Sequence, residues 1–90
     1  MKTVAFEYVT VLWCDAHAVT DTWTLIDELD KTECLVESAG FLIRDGKPGH
    51  IVLAQSMISD EETVDSVLAI PVGMVRNIHR LSRGEAIPHL

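Results

Sequence analysis

Cys34-Leu35-Val36-Glu37-Ser38-Ala39-Gly40-Phe41-Leu42-Ile43, then Asp45-Gly46-Lys47-Pro48-Gly49, then Ile51-Val52-Leu53-Ala54-Gln55-Ser56-Met57-Ile58 is the stretch that decides the fold. Two apolar runs of strand length flank a turn whose glycines permit positive φ and whose proline presets its own φ while supplying no N–H donor. This reads as a hairpin. Gly40, inside the first run, marks a bulge or sharp bend, because a strand interior gains nothing from glycine unless the backbone must turn or another chain must come close.

Working outward, residues 3–14 are rich in Val, Thr, Phe, Tyr and Trp, with apolar side chains on much of both faces, and predict a strand ahead of the hairpin. On the other side, Ser59 to Glu62 is a solvated loop and Val64 to Ile70 a further strand. Pro71 ends it. Val72-Gly73-Met74 suits a single 3₁₀-like turn, and Arg76 to Leu81 alternates as a last short strand. Met74, Ile78 and Leu81 also have helical spacing, so a helix over 75–81 is the competing reading. Between the first two strands, Thr24-Leu25-Ile26-Asp27 resembles a capping box, with Trp23 placed as its hydrophobic staple, and predicts one short helical turn.

Five short strands, a bent second strand and a one-turn link before the last are the pattern of a mainly β, SH3-like or Sm-like five-stranded barrel with one short helical turn. Closure would also remove exposed sheet edges, which a small β protein must otherwise protect. The expected domain is residues 1–81, with 82–90 a flexible tail carrying Gly84 and Pro88.

Ninety residues can bury only a small core, so a homo-oligomer is expected. The composition, 48% hydrophobic against 23% charged, is that of a chain that folds. No apolar run approaches bilayer length, and Glu7 interrupts any signal-like stretch, so the expected place is the cytoplasm. There Cys14 and Cys34 are expected as reduced thiols packed like small hydrophobes.

Fourteen acids against seven bases give a formal charge of −7, which disfavours general binding of nucleic acid through many phosphate contacts. The charge is uneven. Seven acids and one base lie between Asp15 and Glu37, whereas Arg76, Arg80 and Arg83 fall in a stretch without acids.

None of the spacings that carry known catalysis is present, so no enzyme and no cofactor is expected. Cys14-x-x-His17 has metal-ligand spacing, with Cys34, His50 or Asp15 as further donors. A structural zinc site usually shows two close pairs, and only one exists here, so buried thiols and a surface histidine are the favoured reading and no metal is expected.

The candidate binding residues are Trp23, Lys47, His50, Arg76 and Arg80. Backbone amides of the glycine turn can cradle an anion, with Lys47 and His50 adding charge and hydrogen bonds, although the Walker spacing is absent and an ordinary hairpin explains the same residues. Arg76 and Arg80 flank Ile78 and would project to one side as a cationic strip on a strand or on a helix. Trp23, between two threonines, is the large aromatic best placed to meet a ligand or a second subunit, whereas Trp13 and Phe41 are expected in the core.

Trp13-x-Asp15, Trp23, Cys34, Ser38-x-Gly40-Phe41-Leu42, Ile51 to Ala54 and Ile70-Pro71 with Val75, Ile78 and Leu81 together resemble small uncharacterised proteins encoded by many bacteriophages and prophages. The resemblance implies a product that counters host defence in the bacterial cytoplasm, by sequestering a small anionic, nucleotide-type immune signal. The alternatives are an acidic protein-protein inhibitor of a host defence complex, acting as an anti-CRISPR protein or a nucleic-acid mimic, and a structural or regulatory phage accessory protein. In the inhibitor reading the acids around Asp27, Glu28 and Asp30 would dock on a basic host protein.

Overall fold

The computed structural model describes residues 6–16, 19–60 and 62–88. Five antiparallel strands form one sheet: β1 (Tyr8–Asp15), β2 (Cys34–Leu42), β3 (His50–Met57), β4 (Val64–Pro71) and β5 (Val75–Leu81). Their order across the sheet is β4-β3-β2-β1-β5. Single 3₁₀ turns cover Ile26–Glu28, between β1 and β2, and Val72–Met74, between β4 and β5. The segment 75–81 is thus a strand. Among the described residues, no helix is long and apolar enough to cross a membrane.

Strand alternation sorts the core. Val9 and Val11 of β1 are buried and meet Leu53 of β3 and Ile70 of β4, with Trp13, Leu42, Ile51 and Val75 packed around them. Strands from both halves of the sheet share one cluster, so the sheet curls around it. Trp13 lies in this layer as expected, and its indole Nε1 donates to Ser38 Oγ at 3.0 Å, which satisfies the one polar atom the ring brings inside. Phe41 instead packs on Tyr8 across the β1–β2 pair, with ring centroids 4.7 Å apart.

Gly40 sits where β2 changes company. β2 pairs with β1 from Cys34 to Phe41, but with β3 only at Phe41 and Leu42. A Cβ on Gly40 would stand 2.7 Å from the Ala54 carbonyl oxygen, so the residue is glycine because the β3 backbone passes there. Positive φ in the next turn falls on Asp45 (57°) and Gly49 (71°). Gly49 accepts a hydrogen bond from the Val72 N–H at 3.0 Å, tying the β2–β3 turn to the 3₁₀ link at the same end of the sheet.

Two further expectations change. The sheet is open: β4 and β5 stand at its opposite edges and do not pair among the described residues, so closure into a barrel is not formed within this chain. The capping box is also absent. The first 3₁₀ turn has Leu25 as its N-cap with no side-chain bond, because the Thr24 hydroxyl turns back to the Thr20 hydroxyl (3.1 Å) and the Thr22 carbonyl (3.2 Å). Short hydroxyl side chains compete in this way for local partners. Trp23 consequently packs on nothing and is fully exposed.

Candidate functional site

Glu7 lies one residue before β1, on the face that carries Val9 and Val11. Its backbone is anchored by the Leu42 N–H, which donates to the Glu7 carbonyl at 2.9 Å. Its carboxylate is therefore held at the end of the core, where two arginines from distant parts of the chain reach it. Arg44, just beyond β2, donates through Nη2 to Oε1 at 2.6 Å. Arg80, which is opposite Val9 in the β1–β5 register, donates through Nε to Oε2 at 2.5 Å.

Each guanidinium takes one oxygen of the same carboxylate. The Arg44 hydrogen bond, and after it that of Arg80, holds the Glu7 carboxyl below its ordinary value of 4.5, and Glu7 in return raises Arg44. These groups border an open cavity of about 720 Å³. Its apolar wall comes from Val9, Leu42, Ile51 and Ile78, and His50 is on its rim.

His50 Nδ1 lies 2.7 Å from the Pro48 carbonyl oxygen. A carbonyl can only accept, so Nδ1 carries the proton in this contact and Nε2 is left to face another group. The turn before it supplies that geometry: Pro48 and Gly49 lead into β3, and the His50 N–H donates to the Lys47 carbonyl at 3.3 Å. Lys47 itself is exposed at the tip of the turn and does not line the cavity.

The five residues singled out from the sequence thus separate. His50 and Arg80 share the cavity. Trp23 borders a different surface depression, with Thr20 and Leu29. Arg76 is bound to Glu33 at 2.8 Å. The strip expected of Arg76 and Arg80 does not form, because β5 shifts register between Leu12 and Trp13: Asn77 faces Leu12, Val75 faces Trp13, and Arg76 is left unpaired between them. A register irregularity of this kind re-aims the side chain at its centre. The two guanidiniums end on different carboxylates, with Cα atoms about 13 Å apart along the strand.

No family model, curated protein or solved structure matches this chain.

The site's chemistry is therefore read from its own groups, which offer charge and hydrogen bonds around an apolar wall. Neither cysteine lines the cavity. Cys14 is opposite Leu35 and Cys34 opposite Asp15, so the two thiols project to opposite faces of the β1–β2 pair, and both are free. That arrangement excludes a bridge between them without rebuilding the strands. No group of three or more potential metal ligands occurs among the described residues, and His17 lies outside them.

Sequence reasoning missed Glu7 and Arg44. Their signal was faint: Glu7 continues the alternation of Val9 and Val11 with a charge, and Arg44 follows an apolar strand directly before a turn.

Proposed function

We propose that this chain is a non-enzymatic binding protein that sequesters a compact anionic, nucleotide-type signal and so withholds it from an effector of host defence. The observation that carries the reading is the convergence of Arg44 and Arg80 on one carboxylate at the rim of an apolar-walled cavity. A phosphate offers acceptor oxygens in a similar spread, and guanidinium forks suit it. The apolar wall suits the face of a base or ribose, and a volume of about 720 Å³ lies within the usual range for small-molecule sites. The phage setting rests on the sequence resemblance. We take the sheet as an SH3-like or Sm-like barrel left open at the β4–β5 seam, which the long β1–β2 connection and the one-turn link before β5 support.

Isothermal titration with cyclic dinucleotides and linear nucleoside diphosphates tests the reading. The expected result is saturable binding of at least one of them at one site per chain, weakened by salt, with the ligand recovered chemically unchanged. Absence of binding across that panel would remove the proposal, and recovery of a cleaved ligand would replace sequestration with catalysis.

A further inference from the structure

The molecule exposes more surface than its length requires. Its accessible area is 7511 Å², whereas a compact chain of this size exposes about 5,200 Å². The radius of gyration is 17.5 Å, against about 12 Å for a compact domain of 90 residues. The excess, about 2,300 Å² per chain, is of the size that obligate homodimers bury.

Part of it is strongly apolar and concentrated in the β1–β2 connection. Trp23 is 101% exposed, Ile26 84% and Leu25 65%, and the 3₁₀ turn there buries none of its residues. Exposed acids, Asp21, Asp27 and Glu28, accompany them. At the sheet edge next to β1, β5 and the residue positions after it show the opposite character. Leu81 is exposed beside Arg83, on the face of the sheet that carries Tyr8, and no acid occurs between Met74 and Gly84. The root of the connection already makes this pairing within the chain, since Glu33 holds Arg76 at 2.8 Å.

We infer that the segment from Val19 to Leu29 is an arm that packs on the β5 edge of a second copy. Trp23 and Ile26 lie on Leu81, and Asp27 and Glu28 approach Arg83. Both halves of the match, apolar with acid and apolar with base, are on this one chain, which is why the occupant is a copy. Reciprocal exchange of two arms closes a two-fold dimer in which each chain gives and receives the same contact. The inference rests on area and charge and is independent of the ligand reading.

Light scattering on the eluting protein is expected to give a dimer for the unaltered chain and a monomer for Trp23→Ala/Ile26→Asp, with the β-sheet circular dichroism retained. A charge exchange covers the case in which that variant fails to fold. Asp27→Arg/Glu28→Arg and Arg83→Glu should each self-associate poorly, and a mixture of the two should form the heterodimer. A monomeric unaltered chain overturns the inference. So does a dimer that survives loss of Trp23 and Ile26, and so does a charge-exchanged mixture that shows no preference for the mixed species.

Discussion

Gly40→Ala is expected to destabilise the fold by about 3 kcal/mol, the upper range for forcing extra atoms into a packed site. The added Cβ would stand 2.7 Å from the Ala54 carbonyl oxygen and 3.3 Å from the carbonyl carbon. These are backbone atoms, so no side-chain rotation relieves the contact. β3 would have to move away, and its described pairing with β2 consists of Phe41 with Ala54 and Leu42 with Leu53. That junction joins the β1–β2–β5 half of the sheet to the β3–β4 hairpin, and the core cluster takes Val9 and Val11 from one half and Leu53 and Ile70 from the other. A clash at the seam therefore opens the core as well as two pairs. Urea denaturation measures it as a lower midpoint at unchanged slope. Gly73→Ala is the control, because a Cβ there meets nothing within 4 Å, and its midpoint should change little. Equal midpoints for the two variants would show that β3 does not cross β2 at Gly40.

The same residue shows what the sequence made legible. A glycine in the middle of an apolar strand has few explanations, and the turn chemistry from Asp45 to Gly49 has fewer, so the hairpin and its bend could be placed from residue types alone. Pro71 and the three residues after it likewise left room for a single turn before β5. These are local decisions, made by steric limits on one or two residues. The misplaced features depend on register between distant strands. The irregularity opposite Leu12 and Trp13 contains no glycine to announce it, yet it sends Arg76 to Glu33 instead of setting it beside Arg80. Glu7 and Arg44 are 37 residues apart, and Glu7 and Arg80 are 73 apart. Only the β2-β1-β5 order brings them together. A staple role for Trp23, the alternative to a ligand or subunit contact, depends on Thr24 capping the turn, and the Thr24 hydroxyl has two nearer partners in Thr20 and Thr22. Closure of the sheet was legible least of all, since strand count and lengths are the same in an open sheet and a closed one.

Arg80→Glu is expected to lower affinity for a nucleotide ligand by about 100-fold or more, because it removes a charge-assisted hydrogen bond and puts a second carboxylate beside Glu7. The fold should survive, as the Arg80 side chain is 79% exposed. Glu7→Gln is expected to act in the opposite direction. In the free protein the Glu7 carboxylate occupies the donors that a phosphate would use, so an anionic ligand must displace it. Glutamine removes that competing charge while keeping an acceptor, and a rise in affinity of about 10-fold is expected, the equivalent of one displaced charge-assisted contact. Acid should reproduce the effect in the unaltered chain. The folded Glu7 carboxyl titrates below 4.5, so its ion pairs contribute to stability above that value. As pH falls through the folded pKa the carboxyl takes up a proton, this contribution is lost, and Arg44 and Arg80 are released to the ligand. Protonation of the ligand also alters affinity along the way, but equally in both proteins, so the ratio of the two affinities is the informative quantity. It should be largest near neutral pH and approach one in acid. A Glu7→Gln protein that binds more weakly than the unaltered chain at neutral pH would mean that Glu7 positions the arginines for the ligand and does not compete with it.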